Sequence, residues 1–193
     1  MRAGTFASAL RLFMSISALV AISACEDTKD AGGASAADTK AGSPATDFTT
    51  RDAEGNNFRL SEHLGKEAIL IDFWATWCQP CVAEMPHMER MYKEKKAKGF
   101  LVVAVSMDGP ESLSDVKSFG PRNGLTFPIL LDEDSRIASI YNSRKSAPLS
   151  VLIDKNGRIA AVREGYNPGD EAYLEKDVDK VLDKPLDPPP AAK

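Results

Sequence analysis

Residues 68–90 read AILIDFWATWCQPCVAEMPHMER, and the change of hydrophobic period within them restricts the fold more than any other feature of the chain. The first part, Ala68-Ile69-Leu70-Ile71-Asp72-Phe73-Trp74, is a nearly continuous apolar and β-branched run, the pattern of a strand buried on both faces in a largely parallel sheet. From Cys81 onward the apolar residues fall at Cys81, Met85, Met88 and Tyr92, which is one face of a helix. Between strand and helix stands Cys78-Gln79-Pro80-Cys81.

That placement gives the two thiols their chemistry. Cys78 falls at the helix N-terminus, where unpaired backbone N–H groups and the positive end of the macrodipole favour a thiolate, and Pro80 suits the first turn because it needs no N–H partner there. The thiolate is the nucleophile. Cys78 is therefore expected as the exposed thiolate, and Cys81, one turn further on and more enclosed, as the thiol that resolves the mixed disulfide. Two other readings stand beside this one. Half of a structural zinc site would need further ligands, and the chain has no second cysteine pair and only two histidines, His63 and His87. A purely structural disulfide would close a loop too small to stabilise much. Met85, Met88 and Met91 read as core filling and adjacent surface, and His87 as an exposed helix residue.

The segment from Asp72 to Cys81, with Pro86 five residues after the second cysteine, resembles the active-site segment of thioredoxin-fold proteins. Its extension Val82-Ala83-Glu84-Met85-Pro86 resembles the TlpA/ResA-type branch, membrane-tethered extracytoplasmic thiol-disulfide oxidoreductases, and the resemblance spans about residues 48–182. It implies that Pro148 is cis and faces the cysteine pair, with the Ala147 backbone pairing to the substrate chain as an added strand. Trp77, Gln79 and Pro80 join Ala147 and Pro148 in the implied substrate-binding surface. Unaided, Glu84 reads as a solvated helix position, and the resemblance moves it to the active site. Asp72 departs from the branch, whose members commonly have Asn there. Burial should raise its pKa and let it take a proton from Cys81.

The N-terminus indicates where the chain works. Arg2 and Arg11 flank a basic region, and residues 12–22 are apolar but short of the ~20 residues of a membrane helix. Ile22-Ser23-Ala24-Cys25 resembles a bacterial lipoprotein cleavage box, implying a signal peptide over 1–24 and lipid on the Cys25 sulfur. That also accounts for an odd count of three cysteines. Residues 25–46 are small and polar and read as a flexible tether, with a random-coil reach of about 25 Å.

One domain over 47–183 follows, and then a Pro-rich tail over 184–193. An N-terminal hairpin flanks residues 52–55, and a helical turn over 61–64 leads into the central strand. After the long helix, whose Lys93, Glu94, Lys95, Lys96 and Lys98 read as a solvated face, strands are expected over 100–105 and 126–131. Helices are expected over 112–119, stopped by Gly120-Pro121, and over 134–141. The helix over 112–119 and the strand after it resemble the insertion that separates the TlpA/ResA type from plain thioredoxin. A hairpin around Asn156-Gly157 and a helix over 170–182 close an α/β layered sheet. The expected fold is therefore thioredoxin-like, with an N-terminal β-hairpin and an inserted helix-strand unit.

A formal net charge of -4 leaves no basic footprint for nucleic acid. The expected activity is thiol-disulfide exchange with protein disulfides or dithiols through Cys78 and Cys81, with no metal or other cofactor. The resemblance implies a reductase serving, for example, apocytochromes c and supplied with electrons by a membrane partner. The rivals are a peroxiredoxin, which needs Thr or Ser where this chain has Ala75, and a redox-inert lipoprotein module on the same scaffold. Replacing Cys25 by Ser is expected to release the protein from membranes with its thiol activity intact. Full membrane retention of Cys25→Ser in a fractionation assay would end the lipoprotein reading.

Overall fold

Every residue of the strand Ala68–Trp74 (β3) is buried, and the rest of the sheet is laid against it. The computed structural model describes residues 39–187, so Cys25, the signal peptide and most of the tail lie outside the described residues. Two short strands, Thr49–Arg51 (β1) and Asn57–Arg59 (β2), form the expected antiparallel hairpin. A 3-10 turn, Leu60–Glu62, then leads into β3.

The main sheet has the order β5-β4-β3-β6-β7. β4 (Phe100–Ser106) is parallel to β3, and β5 (Ile129–Leu131) is parallel to β4. β6 (Leu149–Ile153) and β7 (Ile159–Glu164) form the antiparallel hairpin on the other side. Four helices complete the layers: α1 (Gln79–Lys95), α2 (Leu113–Asn123), α3 (Arg136–Tyr141) and α4 (Glu171–Asp183). The fold is thus α/β, with the N-terminal hairpin and the inserted α2–β5 unit in their expected places.

Alternation along β3 divides the core into two halves. Leu70 and Trp74 pack with Met85, Met88 and Met91 of α1 and Leu174 and Val178 of α4. Ile69, Ile71 and Phe73 pack on the opposite face with Phe48, Phe58 and the α3 residues Ile137 and Tyr141. All three α1 methionines are core.

Several sequence expectations are corrected. Helix α2 runs through Gly120-Pro121 to Asn123, because proline's fixed φ is helical and its missing N–H costs a single bond. The stop is Gly124, at φ 65°, a left-handed conformation that glycine adopts without steric cost. β5 begins only at Ile129, since the Thr126 N–H and hydroxyl are taken by the buried Glu89 at 2.8 and 2.7 Å and Pro128 has no N–H. Lys95 is not on a solvated face: it is buried, and its ammonium meets Asp179 at 2.6 Å and Glu175 at 3.3 Å on α4. The segment read as tether ends earlier than its composition suggests. The N–H of Gly42 donates to Ile159, that of Ala45 to Gly157, and that of Ile159 to Ser43, so this end of the segment lies against the β6–β7 hairpin. Among the described residues no helix is long and apolar enough to cross a membrane.

Asp132 is a buried residue that the pattern did not single out. Its carboxylate accepts the Ile137 and Ala138 N–H groups at 2.8 and 2.7 Å, satisfying the open end of α3. Asp132→Ala is expected to lower stability by about 1–2 kcal/mol in urea unfolding. An unchanged midpoint would show that α3 does not depend on this cap.

Candidate active site

The site is built where β3 ends and α1 begins. Cys78 is the N-cap of α1, with extended backbone (φ -86°, ψ 95°), and its sulfur accepts the Cys81 N–H at 3.3 Å. Pro80 lies in the first turn, where the missing donor costs nothing. The two sulfurs form a disulfide. Cys81 is fully buried, and Cys78 is only 4% exposed. The expectation of an open Cys78 is corrected for this oxidised form: its sulfur is turned into the helix cap, bonded to that of Cys81, and the residue belongs to the same half of the core as Trp74 and Met85.

The turn that presents the cysteines is held from the neighbouring strand. Parallel register sets Trp74 beside Ser106, and two residues later Asp108 accepts the Thr76 N–H at 3.0 Å and its hydroxyl at 2.6 Å. The Ser106 hydroxyl steadies the same carboxylate at 2.9 Å. Asp108 was missed in the sequence. The only cue was an acid just past the end of a buried strand, and that cue gains meaning once β4 is known to lie parallel to β3.

Around the disulfide, Trp77 is 67% exposed, and Gln79 and Pro80 are exposed beside it. This suits a contact platform better than a core. Trp74, by contrast, is wholly buried with its ring 4.5 Å from that of Phe119. The Ala147-Pro148 bond is cis, as the resemblance implied, and Pro148 opens β6 next to the strand that leads to the cysteines. Ala147 packs partly exposed against the core half that contains Cys78 and Cys81.

Asp72 lies on the same sheet face as Leu70 and Trp74, the face covered by α1 and the disulfide. It is completely buried; Ser150 donates to its Oδ1 at 2.9 Å, and Oδ2 has no partner. Burial pushes this carboxyl well above the usual range, the Glu84 charge adds to the rise, and the Ser150 bond opposes it. Glu84 is 6% exposed, so the solvated-face reading is corrected. Burial, with Asp170 and Glu171 adding repulsion and Arg163 opposing, pushes Glu84 up to about 7. The disulfide is thus accompanied by two carboxyls whose environments favour protons. His87 stays on the helix surface, 4.0 Å from Glu171. Among the described residues no group of three or more His, Cys, Asp or Glu side chains is placed to hold a metal ion.

The Glu84 environment has a consequence for stability. Its folded pKa of about 7 lies above the ordinary value of 4.5, so between these values the folded state binds more protons than the unfolded state. The contribution is most favourable below pH 4.5 and is lost as pH rises through about 7. Glu84→Gln removes this dependence. Oxidised Glu84→Gln is expected to be more stable than wild type at pH 8, by on the order of 1–3 kcal/mol, with the difference closing toward pH 4. Urea unfolding at both pH values checks it; a pH-independent difference would place the effect outside the Glu84 titration.

Comparison with known proteins agrees with this geometry. The AhpC/TSA family model matches residues 41–162. The thiol-disulfide oxidoreductase ResA of Geobacillus kaustophilus is 40% identical over 124 residues, covering 64% of this chain and 69% of the relative. ResA of Bacillus anthracis is 36% identical over 137 residues, covering 70% of this chain and 77% of its own length. Among solved structures, a putative thiol:disulfide interchange protein DsbE from Chlorobium tepidum superposes with a TM-score of 0.68 at 34% identity, covering 74% of this chain and 98% of that one. A putative protein disulfide isomerase from Bacteroides thetaiotaomicron gives 0.68 at 30% identity, covering 75% and 91%. The cysteine pair at the helix end, the cis proline and these relatives agree: the chain belongs to the AhpC/TSA family and, within it, to the TlpA/ResA-type thioredoxin-fold thiol-disulfide oxidoreductases.

Proposed function

We propose that this oxidoreductase is a lipid-anchored reductase of the extracytoplasmic face of the cell envelope, acting on selected protein disulfides. Those of apocytochromes c are one example, and a membrane partner returns the electrons. The observation that best supports the reading is the disulfide at the α1 N-terminus, with Asp72 and Glu84 on the same face of the sheet. The signal-like N-terminus and Cys25 support the anchor.

In the reduced enzyme the Cys78 thiolate attacks a substrate disulfide and forms a mixed disulfide, releasing one substrate thiolate. Cys81 then gives its proton to the Asp72–Glu84 carboxyl pair and attacks Cys78. The Cys78–Cys81 bond forms, the second substrate thiolate leaves and takes a proton from solvent, and two electrons have passed to the substrate. Trp77, Gln79 and Pro80 offer exposed contact area beside the cysteines. In this reading an extended substrate adds as a strand along the Ala147 backbone. A peroxidase reading lacks the required hydroxyl: Ala75, fully buried, occupies that place.

Cys81→Ala is expected to accumulate mixed disulfides through Cys78, which alkylates below the ordinary thiol pKa of about 8.5. Asp72→Asn should slow their resolution while leaving Cys78 alkylation at low pH unchanged. Trapping through Cys81 in Cys78→Ala instead would reverse the assignment. A reduction potential near that of thioredoxin, about -270 mV, supports the reductase direction; one near the strong oxidants, about -120 mV, would overturn it.

A further inference from the structure

Sheet register sets three polar side chains in a row beneath α1. Asp72 of β3 lies opposite Ser150 of β6, and Ser150 lies opposite Arg163 of β7. Opposed residues share a face of the sheet, so the row runs from the middle of the core to the edge strand. Glu84 of α1 and Arg163 together line a cavity of about 290 Å³ whose other walls include Gly165, Asp170 and Leu174. Gly165 is exposed, so the cavity reaches the surface. Two buried polar atoms of its lining have no protein partner, the acceptor Glu84 Oε2 and the donor Arg163 Nε, and the fully buried Asp72 Oδ2 is a third such atom further in. A surface-connected polar space of this size has room for water beside the Glu84 side chain.

The guanidinium itself is fixed. Its Nη2 pairs with Asp177 of α4 and reaches the Tyr173 carbonyl at 3.5 Å. Asp170 and Glu171 from the start of α4 and Arg163 from β7 act on Glu84, and the Glu84 charge in turn raises Asp72 of β3 and Tyr166 of the loop before α4. His87, on α1, faces Glu171. Of the groups named as shifting Glu84, Arg163 is the cation, and it opposes the acids.

We propose that Arg163 is a positioning residue for the second step of exchange. It holds Glu84 at the cavity in the ionised form that can receive the Cys81 proton, and the cavity is the route by which that proton reaches solvent. In the forward step the Cys81 Sγ–H bond breaks, the proton passes by way of the carboxyl pair to cavity water, and the thiolate forms the Cys78–Cys81 bond. When a donor dithiol reduces the disulfide, the same route returns a proton to Cys81. The inference rests on the proton role given above to Asp72 and Glu84, and the test separates the two.

The probe is dithionitrobenzoate, mixed with the reduced full chain in a stopped flow across pH 5 to 9. Its two thiolates leave in separate phases, the first reporting Cys78 and the second Cys81. Arg163→Gln is expected to move the midpoint of the second phase up by about one pH unit and leave the first phase unchanged, with Arg163→Lys close to wild type. In a Glu84→Gln background the Arg163→Gln shift should vanish. A wild-type second phase in Arg163→Gln beside an altered one in Glu84→Gln overturns the role of Arg163 and leaves the proton role standing. Wild-type profiles in both overturn both. A shift that persists in the Glu84→Gln background also overturns the proposal, because Arg163 would then act without Glu84. Should Arg163→Gln fail to fold, Asp170→Asn removes an anion facing Glu84 without touching the Arg163–Asp177 pair. It is expected to move the second-phase midpoint down, and an unmoved midpoint counts against the electrostatic control proposed here.

Discussion

The interaction on which the rest depends is the enclosure of β3 on both faces, because it forces a carboxylic acid into the interior at Asp72. A strand with apolar neighbours above and below can accept such a group only if its oxygens are bonded or its proton is retained. Ser150 supplies one bond, and the second oxygen has none. The cost is lodged directly in the layer beneath the cysteine helix. Parallel pairing with β4 brings Asp108 to brace the turn before Cys78, and antiparallel pairing with β6 brings Pro148 to the same end of the sheet.

Much of this could be read from residue order, and the limits have physical causes. The strand–turn–helix unit was legible because both periods are strong and Cys78 sits at the junction, where period and capping agree. The burial of Glu84 was not legible from period alone: the solvated stripe of α1 runs through Ala83, Pro86, Arg90 and Lys93, one position away, and the residues beside Glu84 come from β7 and the start of α4, distant in sequence. Lys95 misled for the same reason: a lysine next to two others looks solvated until α4, some eighty residues later, supplies Glu175 and Asp179. Gly120-Pro121 looked like a stop because proline ends helices from the interior far more often than it is carried through the last turn.

Arg163 shows the boundary most clearly. On β7 it alternates with exposed neighbours and reads as an ordinary edge-strand cation. Its relation to Asp72 and Glu84 exists only through two successive strand registers and a helix packed across them, contacts that join residues distant in sequence. Spacing along the chain contains no trace of them.

The clamp between α1 and α4 bears on the order in which the molecule can be assembled. Leu174, Val178 and Val181 complete the core half that holds the cysteines, Asp170 closes one wall beside Glu84, and Asp179 neutralises Lys95. All of them come from the last helix of the described residues and the residue that caps it. A chain delivered N-terminus first therefore has its sheet strands and first helix in hand before the helix that completes this half of the core. During that interval the half of the core that contains the cysteine pair lacks Leu174, Val178 and Val181, so its final packing waits on the last turns to dock.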